Sequence, residues 1–154
     1  MSRDVRRFEP SDRGRCSEIL DSLPEWFGIP ASNDGYLTGL NPESSAVILV
    51  DGEVFGFISL ALTAERSVEI DVLALDFKAR RQGLGSRLIS WAEALCGEHE
   101  VRWLHVKSRG PSTPDPHYRN TRAFYAAMGF EPLFESLSLW GPEDAALILV
   151  KRIA

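Results

Sequence analysis

The sequence has little cysteine, no long apolar run and no surplus of positive charge. Cys16 and Cys96 are its two cysteines, and both fall on predicted helices, which favours small buried side chains in a reducing compartment over a disulfide or a metal site. No apolar stretch is long enough to span a bilayer, and the basic N-terminal segment is not followed by the apolar stretch of a secretory signal. The formal net charge of −5 disfavours general binding to nucleic acid. We therefore expect a cytoplasmic protein that binds neither membranes nor nucleic acid.

Composition and length indicate an ordinary globular chain. Of the 154 residues, 44% are hydrophobic and 25% are charged, which is enough apolar material for one core. The sequence has no internal repeat, low-complexity tract or obvious linker, so we predict a single domain over residues 1–154. Its three histidines lack metal-ligand spacing, and we predict no metal.

The most informative segment is residues 68–91. A β-branched apolar run over residues 68–75 leads through a short charged connection into Arg-Arg-Gln-Gly-Leu-Gly at residues 80–85, and an amphipathic helix pattern follows. Glycines at such a turn let several backbone N–H groups point into one space, and the helix adds four unpaired N–H groups and the positive end of its dipole. The segment therefore predicts a phosphate or diphosphate site, the alternative being an ordinary glycine turn before a helix.

Two better-known phosphate motifs do not match this segment. A P-loop ends in Gly-Lys-Ser/Thr, whereas this loop continues as Gly85-Ser86-Arg87. A dinucleotide fingerprint needs a third glycine or alanine where this chain has Leu88. The pattern that fits is Arg/Gln-x-x-Gly-x-Gly/Ala, from Arg80 to Gly85.

Periodicity and turn signals predict an α/β chain. Asp51-Gly52 between two strand patterns predicts a hairpin with a type I′ turn. Three prolines indicate a loop from Ser108 to Tyr118 before a short helix over Thr121–Met128, and a closing hairpin has strands over 134–140 and 145–153. The predicted order is β-α-α-β-β-β-α-β-α-β-β. Its middle β-α-β unit should be parallel and right-handed and the rest can be antiparallel, which gives a mixed sheet with helices on both faces.

A second motif follows the first along the chain. It is Tyr-x-x-x-Gly-Phe, which occurs here as Tyr125-Ala-Ala-Met-Gly129-Phe130 after a short predicted helix. The two motifs, their order and the order of elements over nearly the whole chain resemble the GNAT superfamily of acetyltransferases. The resemblance implies the GNAT fold, in which a central mixed sheet with splayed parallel strands carries helices on both faces. It also implies an enzyme, an acyl-CoA-dependent N-acetyltransferase.

The resemblance assigns the binding of acetyl-CoA, the co-substrate, to backbone groups. In this superfamily the strand before the loop carries a bulge and bonds to pantetheine like an added strand, which implicates the backbone of Leu73 and Leu75. The backbone N–H groups of the loop would hold the diphosphate, and they belong to Arg81, Gln82, Gly83, Leu84, Gly85 and Ser86.

Transfer of an acetyl group from a thioester to an amine needs a neutral amine, a stabilised oxyanion and a proton for the departing thiolate. By resemblance, Glu69 is the candidate general base, directly or through water, and the backbone N–H of Leu73 is the oxyanion donor. Tyr125 matches the tyrosine that protonates the thiolate. The alternative interpretation of Glu69 is a solvated residue on the polar face of the strand. Asp71 is then the rival candidate for the base. The alternative interpretation of Tyr125 is an aromatic core residue that packs beside Phe124.

One position departs from the superfamily pattern. Many members have an asparagine seven residues before the tyrosine, where it bonds to the cofactor. This chain has Tyr118 at that position and Asn120 two residues later. We interpret Asn120 as the cap of the helix that begins at Thr121, and the sequence leaves open whether Tyr118 or Asn120 contacts CoA.

The sequence leaves the acceptor amine open. In this superfamily the first two helices and the closing hairpin set substrate choice, and the first of these regions is aromatic here, with Trp26, Phe27 and Tyr36. We favour packing under the helices over an acceptor pocket for these three residues. The acceptor is a primary amine of a small molecule or of a protein, and a homodimer is possible. The alternatives are a CoA or acyl-CoA sensor without catalysis, and a subunit that assembles through its exposed sheet edge.

Overall fold

The predicted element order is confirmed. A computed structural model describes residues 2–153, and in hydrogen-bonded order its strands form one mixed seven-stranded sheet, β1-β2-β3-β4-β5-β7-β6. The strands are β1 (Arg3–Arg7), β2 (Ser45–Val50), β3 (Glu53–Ala64), β4 (Ser67–Leu75), β5 (Trp103–Arg109), β6 (Glu131–Ser136) and β7 (Ala146–Arg152). The helices are α1 (Arg13–Asp21), α2 (Pro30–Thr38), α3 (Leu84–Glu98) and α4 (Pro116–Ala127), with 3₁₀ turns at Pro10–Asp12 and Phe77–Ala79.

The sheet combines parallel and antiparallel pairs, as the sequence predicts. β4 and β5 are parallel, whereas the pairs β1–β2, β2–β3, β5–β7 and β6–β7 are antiparallel. The β2–β3 turn has φ of 50° at Asp51 and 82° at Gly52. Positive φ at both central residues is the mark of a type I′ turn, so this prediction is confirmed.

The described chain falls into two compact units. The first comprises the chain up to Ala61 together with Ile70–Leu95, and the second comprises Leu62–Glu69 and the chain from Cys96 onward. The prediction of a single domain over residues 1–154 stays a prediction.

The first unit has a hydrophobic core beneath α1. Phe8, Leu20 and Phe57 are at most 1% exposed there. Trp26, Phe27 and Tyr36 are partly buried and pack against this core, which agrees with the packing interpretation of these aromatic residues. Cys16 lies in the same core as a free thiol, and burial raises its pKa to about 12.

The second unit has its own buried cluster around β5, α4 and β7. Leu104, Val106, Phe130 and Leu149 are at most 5% exposed. Cys96 is buried in this unit. Both cysteines are therefore small buried side chains, as the sequence indicates.

The predicted start of α4 is wrong. The helix begins at Pro116 rather than Thr121, because the Asp115 side chain accepts a hydrogen bond from the His117 N–H at 2.9 Å and Pro116 occupies the first turn. Tyr118 and Asn120 therefore lie inside the helix, and the interpretation of Asn120 as a cap is wrong. The loop after β5 ends at Asp115.

Candidate active site

β4 carries three of the predicted site residues, Glu69, Leu73 and Leu75, on one of its sides. Its residues alternate between half-buried and buried along the whole of Ser67–Leu75, which is the period-2 pattern of a strand. Glu69 and Asp71 therefore project from the same side of the strand. Leu73 and Leu75 follow on that side and are also half-buried.

The parallel pairing of β4 with β5 is short. It joins Ser67–Glu69 to Trp103–His105, although β4 continues to Leu75 and β5 continues to Arg109. Glu69 lies directly beside His105 in this register. Glu69, the predicted base, is therefore the last β4 residue in the register that pairs β4 with β5.

Gly56 on β3 brings the backbone close to the end of β4. A Cβ at Gly56 would lie 2.5 Å from Leu75 Cδ2, 3.0 Å from the Ala74 carbonyl oxygen and 3.2 Å from Ile48 Cγ2. No side chain fits at this distance without a shift of the neighbours. Gly56 thus lets the Leu75 side chain lie over β3.

The loop before α3 has the backbone conformation of an anion cradle. Arg81 and Gly83 have φ of 62° and 73°, and α3 begins at Leu84. Left-handed residues directly before a helix turn successive N–H groups toward one side, and the first four N–H groups of the helix have no intrahelical acceptor. Arg81 and Gly83 are exposed and Gln82 and Ser86 are half-buried, so a phosphate can approach the loop.

Two hydrogen bonds hold this loop in place. The Gln82 carbonyl accepts from the Arg3 guanidinium at 2.7 Å, and the Ser86 hydroxyl donates to the Gly83 carbonyl at 2.8 Å. Arg87 in turn donates to the Arg3 carbonyl at 2.8 Å. The carbonyl groups of Gln82 and Gly83 thus accept hydrogen bonds, and the N–H groups of the loop lie beside the positive end of the α3 dipole.

The side chain of Arg80, the first residue of the glycine motif, contacts aromatic rings. Its guanidinium lies 4.3 Å from the centre of the Trp26 ring and 5.9 Å from that of Phe77. Burial lowers the pKa of Arg80, and the charge of Glu25 opposes this change. Arg80 therefore forms cation–π contacts within the first unit.

A buried ion pair fixes the chain between β4 and the loop. The Asp76 carboxylate accepts from Arg15 at 2.7 Å and from the Lys78 N–H at 2.8 Å, and the same arginine donates to the Val54 carbonyl at 2.9 Å. Burial of Asp76 acts to raise the pKa of its carboxyl, but the hydrogen bonds from Lys78 and Arg15 outweigh it and lower that pKa. Asp76 thus caps the 3₁₀ turn that leads into the loop.

Glu69 lies in a polar cluster of the second unit. Lys107 Nζ is 2.6 Å from Glu69 Oε2, and His105 Nδ1 is 3.9 Å from the same oxygen. The Glu69 side chain is 14% exposed, so it is not the freely solvated strand residue of the alternative interpretation. Lys107 compensates the charge of the carboxylate.

His105 lies within hydrogen-bond distance of Thr63. His105 Nε2 is 2.8 Å from Thr63 Oγ1, and the same hydroxyl is 3.0 Å from the Ser67 carbonyl oxygen and 3.2 Å from Ser67 Oγ. A hydroxyl has a single proton, so it donates to one of these three atoms at a time. Burial lowers the pKa of His105, Glu69 opposes this change and Lys107 adds to it. The imidazole is therefore neutral at pH 7.

Tyr125 has a buried ring in the second unit. The ring is 5% exposed and makes T-shaped contacts with Phe124 and Phe130 at centroid distances of 5.2 and 5.3 Å. Burial raises the pKa of its hydroxyl, so Tyr125 is protonated at neutral pH. The residue has the surroundings of a core aromatic and a proton that it can donate.

Sequence reasoning missed Lys107, His105 and the Arg15–Asp76 pair. Alternation along β5 places His105 and Lys107 on the polar side of that strand, which is a signal in the sequence. The strand register that places Glu69 beside His105 has no corresponding signal in the local sequence. The contact of Arg15 with Asp76 joins residues 61 positions apart, and no local pattern indicates it.

The described residues contain no group of three or more His, Cys, Asp or Glu side chains placed to hold a metal ion. Over the same residues, no helix is both long and apolar enough to cross a membrane.

Comparison with known proteins gives a consistent result. The model of the acetyltransferase (GNAT) domain family matches residues 41–132, whereas no curated protein matches the sequence. Solved structures with the same fold include Ard1 from Thermoplasma volcanium, with a TM-score of 0.81 and 23% identity over 100% of this chain and 99% of that one. Another is the ribosomal-protein-S18-alanine N-acetyltransferase of Escherichia coli, with a TM-score of 0.77 and 16% identity over 99% of this chain and 95% of that one.

A further structure is an aminoglycoside 6′-N-acetyltransferase complexed with coenzyme A, with a TM-score of 0.79 and 16% identity over 98% of this chain and 97% of that one. At these identities the structures report the fold. The family match covers more than half of the chain and includes β4, the glycine loop and α4. The chain belongs to the GNAT family of acetyltransferases.

Proposed function

We propose that this protein transfers an acetyl group from acetyl-CoA to a primary amine of a small molecule or a protein. The observation that carries the proposal is the loop before α3, with φ of 62° at Arg81 and 73° at Gly83 beside the helix N-terminus. This backbone arrangement suits a diphosphate. Family membership adds the acetyltransferase activity.

Backbone groups of β4 and of the loop are the proposed contacts with acetyl-CoA. The N–H groups of Arg81, Gln82, Gly83, Leu84, Gly85 and Ser86 bind the diphosphate. The pantetheine arm bonds to the backbone of Leu73 and Leu75, which lie on one side of β4. With the arm in this position, the Leu73 N–H serves as the oxyanion donor.

Glu69 is the proposed general base and Tyr125 the proposed general acid. Glu69 takes a proton from the ammonium form of the acceptor, directly or through water, and the neutral nitrogen then attacks the thioester carbon. A C–N bond forms, the C–S bond breaks and its electron pair stays on sulfur, and the nitrogen loses its second proton to water, from which Tyr125 later recovers the proton that it donates. Tyr125 gives its proton to that thiolate. Asp71 shares the side of β4 with Glu69 and remains the rival base.

One observation favours the second candidate, an acyl-CoA sensor without catalysis. Lys107 Nζ lies 2.6 Å from the carboxylate proposed as the base, so an acceptor amine has to compete with this ammonium group for the carboxylate oxygen. The sensor and the enzyme share the same acetyl-CoA site, so they differ in turnover and not in binding. The acceptors named for two structural relatives, a protein alanine and an aminoglycoside, are both amines, and this supports an amine acceptor.

Acetyl-CoA binding by isothermal titration calorimetry tests the proposed loop. Gly83→Asp places a carboxylate where the diphosphate would bind, and we expect its affinity to fall at least about 100-fold because two negative groups then compete for the same N–H donors. The matched control is Gly52→Asp, which also puts aspartate at a left-handed position, with φ of 82°, in the β2–β3 turn. Both variants carry the same backbone strain and the same added charge.

Equal affinities of Gly83→Asp and wild type would refute the proposed loop. Equal losses in Gly83→Asp and Gly52→Asp would assign the effect to strain or net charge and would also count against it.

A further inference from the structure

One of the few lysines in this chain binds the proposed general base. The lysines are Lys78, Lys107 and Lys151. Lys107 Nζ is 2.6 Å from Glu69 Oε2. Lys78, by contrast, has an exposed side chain, and Lys151 Nζ donates to the Met128 carbonyl at 2.7 Å. Lys107 is therefore the lysine whose ammonium group lies on the carboxylate that is proposed to take a proton from the acceptor.

The register of β4 and β5 places Lys107 in this position. Glu69 is paired with His105, and Lys107 is two residues further along β5, on the same side of the strand. The Glu69 side chain is 14% exposed and the Lys107 side chain is 37% exposed. The carboxylate is thus the more enclosed of the two groups, and a reactant can still approach the lysine.

Lys107 meets the geometric requirement for an acceptor amine. Its ammonium group donates a hydrogen bond to Glu69 across the 2.6 Å contact, and a general base must lie within about 2.6–3.2 Å of the group that gives up the proton. An amine from solution has to displace this ammonium group, whereas Lys107 is already in place. Because the amine belongs to the same chain as the base, their encounter is intramolecular, which favours reaction.

We propose that Lys107 is a self-acetylation site of this protein. The inference rests on the proposed function, because acetyl-CoA is the donor and Glu69 is the base. Glu69 takes one proton from the Lys107 ammonium group, the neutral nitrogen attacks the thioester carbon, and the nitrogen then loses a second proton to water. A C–N bond forms and the C–S bond breaks with its electron pair on sulfur. Tyr125 protonates the thiolate and recovers its proton from water, so the products are Nε-acetyl-Lys107 and CoA.

Acetylation of Lys107 changes the charge beside the base. The cation becomes a neutral amide, which removes the ion pair with Glu69. An amine from solution then no longer competes with an ammonium group for the carboxylate oxygen. The acetylated protein should therefore bind an acceptor amine more tightly than the unmodified protein does.

Peptide mass spectrometry of the full chain after incubation with acetyl-CoA, without added amine, tests this proposal. We expect acetylation of Lys107 at a rate per molecule that stays constant when the protein concentration is raised about tenfold, because the reaction is intramolecular. In Glu69→Gln this rate should fall about 100-fold. Lys78 is the internal reference, since its exposed amine reports the uncatalysed reaction with acetyl-CoA and should be modified equally slowly in both proteins.

Two variants separate the modification from the ion pair. Lys107→Arg keeps a cation beside Glu69 but has no primary amine to acetylate, and Lys107→Gln carries a neutral amide like that of acetyl-lysine. For an amine that wild type acetylates, we expect a lower KM in Lys107→Gln than in Lys107→Arg. Incubation with acetyl-CoA beforehand should lower the KM of wild type and leave that of Lys107→Arg unchanged.

Equal rates of acetylation at Lys107 and Lys78 would overturn the proposal. So would a rate that rises with protein concentration, or an unchanged rate in Glu69→Gln. If wild type acetylates an added amine while Lys107 stays unmodified, this inference fails and the proposed function stands. If acetyl-CoA modifies neither Lys107 nor any added amine, both fail.

Discussion

The Arg15–Asp76 pair allows a stability prediction to be worked from the structure. Asp76→Asn removes the charge but keeps an oxygen that can cap the 3₁₀ turn by accepting from Lys78. Removing one partner of a fully buried pair costs about 3–5 kcal/mol, and an exposed pair contributes about 0–1 kcal/mol. The two side chains are 10% and 26% exposed, so we expect a loss of about 2 kcal/mol in the free energy of unfolding.

Urea denaturation at pH 7 measures this loss, and Glu18→Gln is the matched control. Glu18 pairs with the same Arg15 at 3.4 Å but is 71% exposed, so its removal should cost less than about 0.5 kcal/mol. A double-mutant cycle with Arg15→Met isolates the interaction. A coupling below about 0.5 kcal/mol in that cycle would refute the buried-pair reasoning.

The same pair predicts a pH window. Because the pKa of Asp76 is lowered in the folded protein, its ionised form stabilises the fold above the ordinary carboxyl pKa of 3.8. This contribution is lost as the pH falls below that value toward the lower pKa of the folded state. The stability difference between wild type and Asp76→Asn should therefore shrink in acid. A difference that stays constant down to the acid transition would contradict this assignment.

Three further predictions follow from other contacts. Gly56→Ala should lower the free energy of unfolding by about 1–3 kcal/mol, because its Cβ would overlap a β4 side chain and a β4 carbonyl; an unchanged denaturation midpoint would contradict the close approach. In an NMR titration the pKa of His105 should rise in Lys107→Met and fall in Glu69→Gln, because the lysine lowers it and the glutamate raises it; shifts of the same sign would exclude the cluster geometry. Tyr125→Phe should bind acetyl-CoA normally and turn over about 10–100-fold more slowly, whereas reduced stability with full turnover would make the tyrosine a core residue.

Most of the fold could be predicted because its signals are local. The β-branched apolar run over residues 68–75 predicts β4, which spans Ser67–Leu75, and Asp51-Gly52 predicts its turn type correctly. The start of α4 was missed because Asp115-Pro116 was interpreted as part of a proline-rich loop. Aspartate followed by proline is also the signal of a capped helix N-terminus, and here the cap is the structure that forms.

The candidate site likewise has a part that local sequence indicates and a part that it does not. Backbone roles depend on glycine positions and on a helix start, which the sequence displays, so the sequence alone is enough to propose the loop from Arg81 to Ser86. The neighbours of a side chain, by contrast, depend on strand register and on contacts between residues that are far apart in the sequence. The partners of Glu69 come from β5, and nothing in the local sequence sets which β5 residue lies beside it. The stacking of Arg80 on Trp26 likewise joins segments that lack a common local pattern.

Thiol release from acetyl-CoA with a panel of primary amines tests the central claim most directly. The panel includes aminoglycosides, polyamines and peptides with free N-termini, and wild type is compared with Glu69→Gln at pH 7. We predict that wild type acetylates at least one amine and that Glu69→Gln turns over about 100-fold more slowly while binding acetyl-CoA with unchanged affinity. Tight binding of acetyl-CoA without acetylation of any amine would contradict the enzyme and favour the sensor.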